Sequence, residues 1–193
     1  MTQTDSPLDL LSRALDQTGA LIAQIRPGQE TLPTPCRSWD VRALVNHVVD
    51  EMHQFAKVTA GGERRHLGVD VIGEDWSGAY REAAQALLAA WRQSGALEQT
   101  QRLSIGEVDA GWAVGQHITE LSVHAWDIAK ATGQPTDLDP ELGQLALDWA
   151  GNNLKPEFRG DEADGYQIGP EVKVSDDAPL YDRLAAIGGR DPN

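Results

Sequence analysis

Residues 117–127 read HITELSVHAWD. His117, Glu120 and His124 stand at i, i+3 and i+7, and because successive helical residues turn by about 100°, they project from neighbouring positions on one side of a helix. Imidazole and carboxylate are the side chains left to bind a divalent ion here. Cys36 is the only cysteine, which excludes an intramolecular disulfide and a cysteine-based zinc cluster within one chain. His47 is the natural complement, since it sits beside Leu44 and Val48 at the edge of an apolar face. Bringing His47 opposite Glu120 and His124 assembles two imidazoles and one carboxylate. A fourth position then stays open to water or substrate, which is a catalytic type of site.

The same residues have plainer readings. A histidine at a helix edge is more often a surface or hydrogen-bonded core residue than a ligand, and the Glu120–His124 step is also that of an ordinary i, i+4 side-chain pair. On that reading the trio is only a polar seam and the protein an interaction module. His117 shares the stripe and could replace or join Glu120. His53 falls outside the apolar arc and His66 lies in the polar stretch GGERRHLG, so both are expected to be solvated. Cys36 is expected to be a buried structural thiol, with a fourth ligand or a nucleophile as the alternatives. Trp39 and Trp126 are close enough in sequence to the candidate ligands to line a pocket. There is no G-x-S-x-G elbow, H-E-x-x-H helix, P-loop or G-x-G-x-x-G after a strand. No pair stands out among the 30 acidic residues.

Four main helices must position these groups. The first starts at DSPLDLL, with Asp5 or Ser6 as cap and Pro7 in the first turn, and stops before Pro27. The second follows Ser38 as N-cap, with Asp40 favouring the positive end of the dipole, and buries Val41, Leu44, Val45, Val48, Met52 and Phe55. The third places Trp76, Tyr80, Ala83, Leu87 and Trp91 on one face and closes at Gly95. TQRLSIGEVDAG is extended or looped, and the fourth helix runs through the His/Glu/His stretch to Gly133 and Pro135. A further helix begins at DPELGQ, Val172 and Val174 hint at a short strand, and Pro179 opens a last short helix. The fold class is mainly all-α: a four-helix bundle with a short irregular C-terminal tail and a small helix, spanning residues 1–193 as one domain.

Composition narrows the function. Hydrophobic residues make up 40% of the 193, and no apolar run reaches the roughly 18 residues a membrane span needs. MTQTDSPLDL has neither the basic segment nor the apolar core of a secretion signal, so a cytoplasmic location is expected. A formal net charge of -14, with no cluster of Lys and Arg to offset it, argues against nucleic acid as a partner.

TPCRSWDVRALVNHVV (residues 34–49), ELSVHAWDIAKATG (residues 120–133) and the ending GPEVKVSDDAPLYDRLAAIGGRDP resemble the actinobacterial branch of the DinB-like superfamily. That branch includes the N-terminal domain of mycothiol-dependent maleylpyruvate isomerase. The resemblance covers nearly the whole chain. It implies a four-helix bundle whose metal, commonly zinc, is held by a His on the second helix and an E-x-x-x-H pair on a later one. Those ligands match His47, Glu120 and His124, while His117 has no counterpart in the motif. Related proteins are thiol-dependent isomerases and S-transferases that use mycothiol or bacillithiol, so the resemblance also implies a small-molecule thiol, activated as its thiolate, and an electrophilic second substrate. The isomerase has an added C-terminal domain that contributes to its active site, whereas this sequence stops at Asn193. The expectation is therefore a thiol transferase or isomerase-like enzyme, with a non-catalytic metal- or small-ligand-binding bundle as the alternative.

Overall fold

The computed structural model describes residues 5–64, 68–103, 106–161, 164, 166 and 168–193. Among these the chain forms α1 (Pro7–Ala23), α2 (Val41–Thr59), α3 (Trp76–Trp91), β1 (Thr100–Leu103), β2 (Gly106–Asp109), α4 (Ala110–Thr132), α5 (Pro140–Asn153) and α6 (Leu180–Ile187). The mainly α reading holds. TQRLSIGEVD contributes the two strands, which pair antiparallel with Thr100 opposite Asp109 and Leu103 opposite Gly106. Val172 and Val174 form no strand. The Val172 N–H instead donates to the Ala186 carbonyl, and the tail's one β-bridge among the described residues joins Arg159 to Ile168.

Side-chain caps start the longer helices. Ser6 accepts from the Asp9 N–H while the Asp9 carboxylate takes the Ser6 N–H, a reciprocal capping box. Asp40, Asp75, Asp109 and Asp139 cap α2, α3, α4 and α5, each a negative group at the positive end of a helix dipole. Asp40, not Ser38, is the cap of α2: its carboxylate accepts from the Ala43 N–H at 2.8 Å. Ser38 lies in the preceding turn, where the Trp39 N–H donates to the Cys36 carbonyl and the Thr34 N–H to the Trp39 carbonyl. That turn is what sets Cys36 and Trp39 against the bundle.

The first four helices enclose one core, in which Leu11, Leu15, Leu44, Val48, Met52, Leu87, Trp91, Leu121 and Ile128 are buried. A second, smaller core joins α4 to α5 and α6 through Val123, Trp126, Ala146, Ala150, Tyr181 and Leu184. Helix α4 therefore lies between two apolar layers and is buried almost all round. Each of the other main helices serves one face, as its periodicity predicts, but α4 serves two.

Gly115 sets how closely α5 can approach. A Cβ there would stand 2.6 Å from Cδ1 of Trp149, whose indole N–H is held by the Trp112 carbonyl, so the ring has little room to yield. Gly115→Ala should lower stability by roughly 1–3 kcal/mol in chemical denaturation, the cost of overpacking. Helix propensity alone predicts a gain of about 1 kcal/mol. A stabilised variant would show that α5 is not held this close.

Candidate metal centre

Helix α4 carries Glu120 and His124 one turn apart, and α2 brings His47 to them from the facing side. Nε2 of His124 is 3.3 Å from Oε1 of Glu120, and Nε2 of His47 is 3.6 Å from the same oxygen. The three ligand atoms all lie within 4.8 Å of one another. Two donors bound at 2.0–2.1 Å to a tetrahedral ion stand about 3.3–3.4 Å apart, near the two distances from Glu120, so the group could hold a metal ion. His47 is held by its ring contact with Trp39, at 4.3 Å between centroids. Its side chain is 23% exposed and that of Glu120 39%, whereas His124 is 5% exposed.

The far side of the His124 ring is equally furnished. Nδ1 lies 2.9 Å from Oδ2 of Asp127, a fully buried carboxylate one further turn along α4. Arg190, from the tail, donates through Nη2 to the same oxygen at 3.1 Å and through Nε to Oδ1 at 3.4 Å. Its Nη2 also reaches Sγ of Cys36 at 3.1 Å, and the Cys36 thiol in turn faces Asp127 at 3.3 Å.

Burial pushes Asp127 up, but the Arg190 charge and the His124 hydrogen bond outweigh it and hold the carboxyl below its usual value. An ionised carboxylate only accepts hydrogen bonds, so Nδ1 of His124 carries the proton and Nε2 presents its lone pair or second proton to Glu120. Burial would also lower the pKa of His124; bonds to Asp127, Cys36 and Glu120 reverse this and raise it well above its ordinary value. For Glu120, burial is outweighed by His124 and His47, which hold it well below the carboxylate range.

Cys36, His124 and Asp127 form a second set of potential donors within 4.8 Å. The Arg190 guanidinium already spans it. Cys36 is a half-buried free thiol on the Nδ1 side of His124, away from the pair of Nε2 atoms. Trp39 lies at the site, but Trp126 does not line it: its ring is fully buried in the second core and its N–H donates to Asp182. Glu120 instead borders a small recess lined by Val48, Glu51, Met52, Phe55, Leu87 and Leu121.

The segment holding α1 to α4 matches the family model described as the mycothiol maleylpyruvate isomerase N-terminal domain, over residues 11–129. The chain belongs to this family. It is 35% identical over 184 residues to the uncharacterized proteins MT0763 and Rv0738 of Mycobacterium tuberculosis, a match covering 95% of this chain and 97% of each relative. No solved structure matches it.

Sequence reasoning missed Asp127 and Arg190. The first had a signal, a carboxylate three residues after a candidate ligand on the same helix. The second had none, because its partners lie 63 and 154 residues away. His53 is half-buried rather than solvated, and His66 lies outside the described residues.

His117 proves to be a core residue. It is 1% exposed, stacks on Phe55 at 3.9 Å and accepts the Trp91 indole N–H at Nδ1. Burial pulls its pKa down to about 3, with Glu120 opposing and Arg64 adding to the effect. Between about pH 6.5, its unfolded value, and that folded value, the unfolded chain binds the extra proton. The stability linked to His117 is thus complete above pH 6.5 and falls as the pH drops, at about 1.4 kcal/mol per pH unit. Urea denaturation of the chelator-treated protein between pH 6 and 5 should show this slope, and His117→Gln should flatten it by about that amount. An unchanged slope would place the acid sensitivity elsewhere.

Proposed function

We propose that residues 1–193 form a single metal-binding helical-bundle domain in which His47, Glu120 and His124 hold one divalent ion, zinc by the chemistry of the donors. The observation that carries this reading is the convergence of two imidazoles and one carboxylate within 4.8 Å of one another, with the Glu120 oxygen 3.3 and 3.6 Å from the two Nε2 atoms. The buried Asp127 behind His124 supports it, since metal-ligating histidines almost always give their other N–H to a carboxylate, carbonyl or water. Purified protein should take up about one zinc per chain by elemental analysis. His124→Ala should weaken zinc binding by roughly a hundredfold or more, and His53→Ala should leave it unchanged. Equal retention in both variants would remove the assignment.

The family points to the ligand of the open position: a low-molecular-weight thiol of the mycothiol type. A bound divalent ion supplies positive charge that lowers a thiol's pKa and favours the thiolate. With neutral imidazoles, Glu120, Asp127 and Arg190 leave the site one net negative charge, which a divalent ion converts to one positive. An anionic sulfur suits that balance. The reaction proposed is attack of the thiolate, its proton lost to solvent, on an electrophilic carbon admitted beside Trp39: a C–S bond forms while the bond from that carbon to a leaving group breaks and the group departs with the electron pair. Mycothiol should bind the zinc-loaded protein at least tenfold more tightly than the apoprotein in calorimetry, about 1.4 kcal/mol. Equal affinity for both forms would end the thiol-activation reading.

A non-catalytic metal- or ligand-binding role is the second reading, favoured by one observation. Asp127, Arg190 and Cys36 are engaged with one another, which leaves none of the three free to serve as a separate acid or base. Thiol binding without conjugation to any of a broad panel of electrophiles would decide for it.

A further inference from the structure

The C-terminal segment GGRDP is built to deliver one side chain. Gly188 ends α6, and Gly189 adopts φ +84°, a conformation open mainly to glycine. A Cβ on Gly189 would also meet the Gly169 backbone at 2.8 Å. Arg159 holds the turn from outside by donating to the Ile187 carbonyl at 2.6 Å. Beyond the turn, Lys130 takes the Pro192 carbonyl at 2.7 Å, and Pro192 is buried. Between these anchors Arg190 enters the protein, folds back through Nη1 onto the Gly188 carbonyl at 2.6 Å, and spends its remaining donors on Asp127 and Cys36. A guanidinium meets all of these at once because its five N–H groups point in fixed in-plane directions; an ammonium cannot.

We propose that Arg190 is a positioning residue for the metal centre: it fixes Asp127, which fixes the His124 ring with Nε2 toward Glu120 and His47, so that docking of the tail and metal affinity are coupled. The argument rests on the His47/Glu120/His124 reading. Its links are all direct side-chain contacts: Arg190 to Asp127 at 3.1 and 3.4 Å, Asp127 to Nδ1 at 2.9 Å, and Nε2 to Glu120 at 3.3 Å. Arg190 makes no hydrogen bond to any of the three ligands among these contacts; its charge is felt by Glu120, but its hydrogen-bonded route to the centre runs through Asp127. It also occupies the space between Cys36, Asp127 and His124, the second set of potential donors, and so keeps an ion on the Nε2 side of the ring.

Coupling of this kind is reciprocal: if the docked tail raises metal affinity, bound metal must stabilise the docked tail. Zinc affinity, by competition with a chromophoric chelator, is to be measured on the full chain as wild type, Arg190→Met, Arg190→Lys, Asp127→Asn and the Asp127→Asn/Arg190→Met double variant. Arg190→Met should weaken zinc binding about ten- to a hundredfold, the usual effect of losing the partner behind a ligand, and Arg190→Lys should recover part of the loss. In the Asp127→Asn background the Arg190→Met change should cost little more, because the link it acts through is gone. A merely structural role for Arg190 would make the two losses multiply. Wild-type affinity in Arg190→Met, or multiplying losses, overturns the proposal while leaving the metal site standing. A wild type that takes up no zinc overturns the metal reading itself and the proposal with it. Should the variants fail to fold, hydrogen exchange on the wild type serves: zinc should slow the amides of Gly189 and Arg190, which are bonded to Ala186 and Ala185, and unchanged exchange overturns the coupling.

Discussion

Helix α4 is buried on both sides, and the rest of the molecule follows from that. A helix serving one core can turn its polar residues to water, but α4 packs on α1 and α2 on one side and on α5 and α6 on the other. A buried polar side chain on it calls for a partner within the protein, since an unpaired buried group costs a few kcal/mol and an unpaired charge more; among its described residues the Ser122 hydroxyl is buried without one. His117 takes the Trp91 indole, Thr119 and Thr132 return to carbonyls of their own helix, and Asp127 requires a cation. The residues that meet at the candidate centre are thus fixed by the same demand that holds the two layers together.

The elements were legible because their signals are local. Pro7, Pro140 and Gly133 bound helices where they were read to do so, and the apolar spacing of α2 and α3 named the faces they bury. The misplaced cap of α2 shows the limit of that method: Ser38 and Asp40 are equally good cap residues, and only the hydrogen-bonded turn from Thr34 to Trp39 selects between them. At the centre, helical spacing sets Glu120 beside His124, and the two side chains do meet at 3.3 Å, yet it put His117 on the same stripe. The stripe is real, but α3 covers its N-terminal end with Trp91 and α2 with Phe55, and periodicity within one helix carries no information about what covers it. Trp126 fails for the same reason, facing the second core that α5 and α6 provide. Arg190 was invisible because its meaning is entirely tertiary.

The three candidate ligand positions also differ in how they are held. Glu120 and His124 share one rigid helix, and the His124 ring is locked from behind by Asp127. His47 comes from another helix, is partly exposed, and is steadied chiefly by the face of Trp39, which itself sits on a turn and not in a helix. The centre therefore has a fixed wall and a movable one. Were an ion held there, the His47 side would be the less restrained of the two. The turn from Thr34 to Trp39, a short piece of backbone that offers none of the three candidate ligands, would then bear on how firmly the centre holds it.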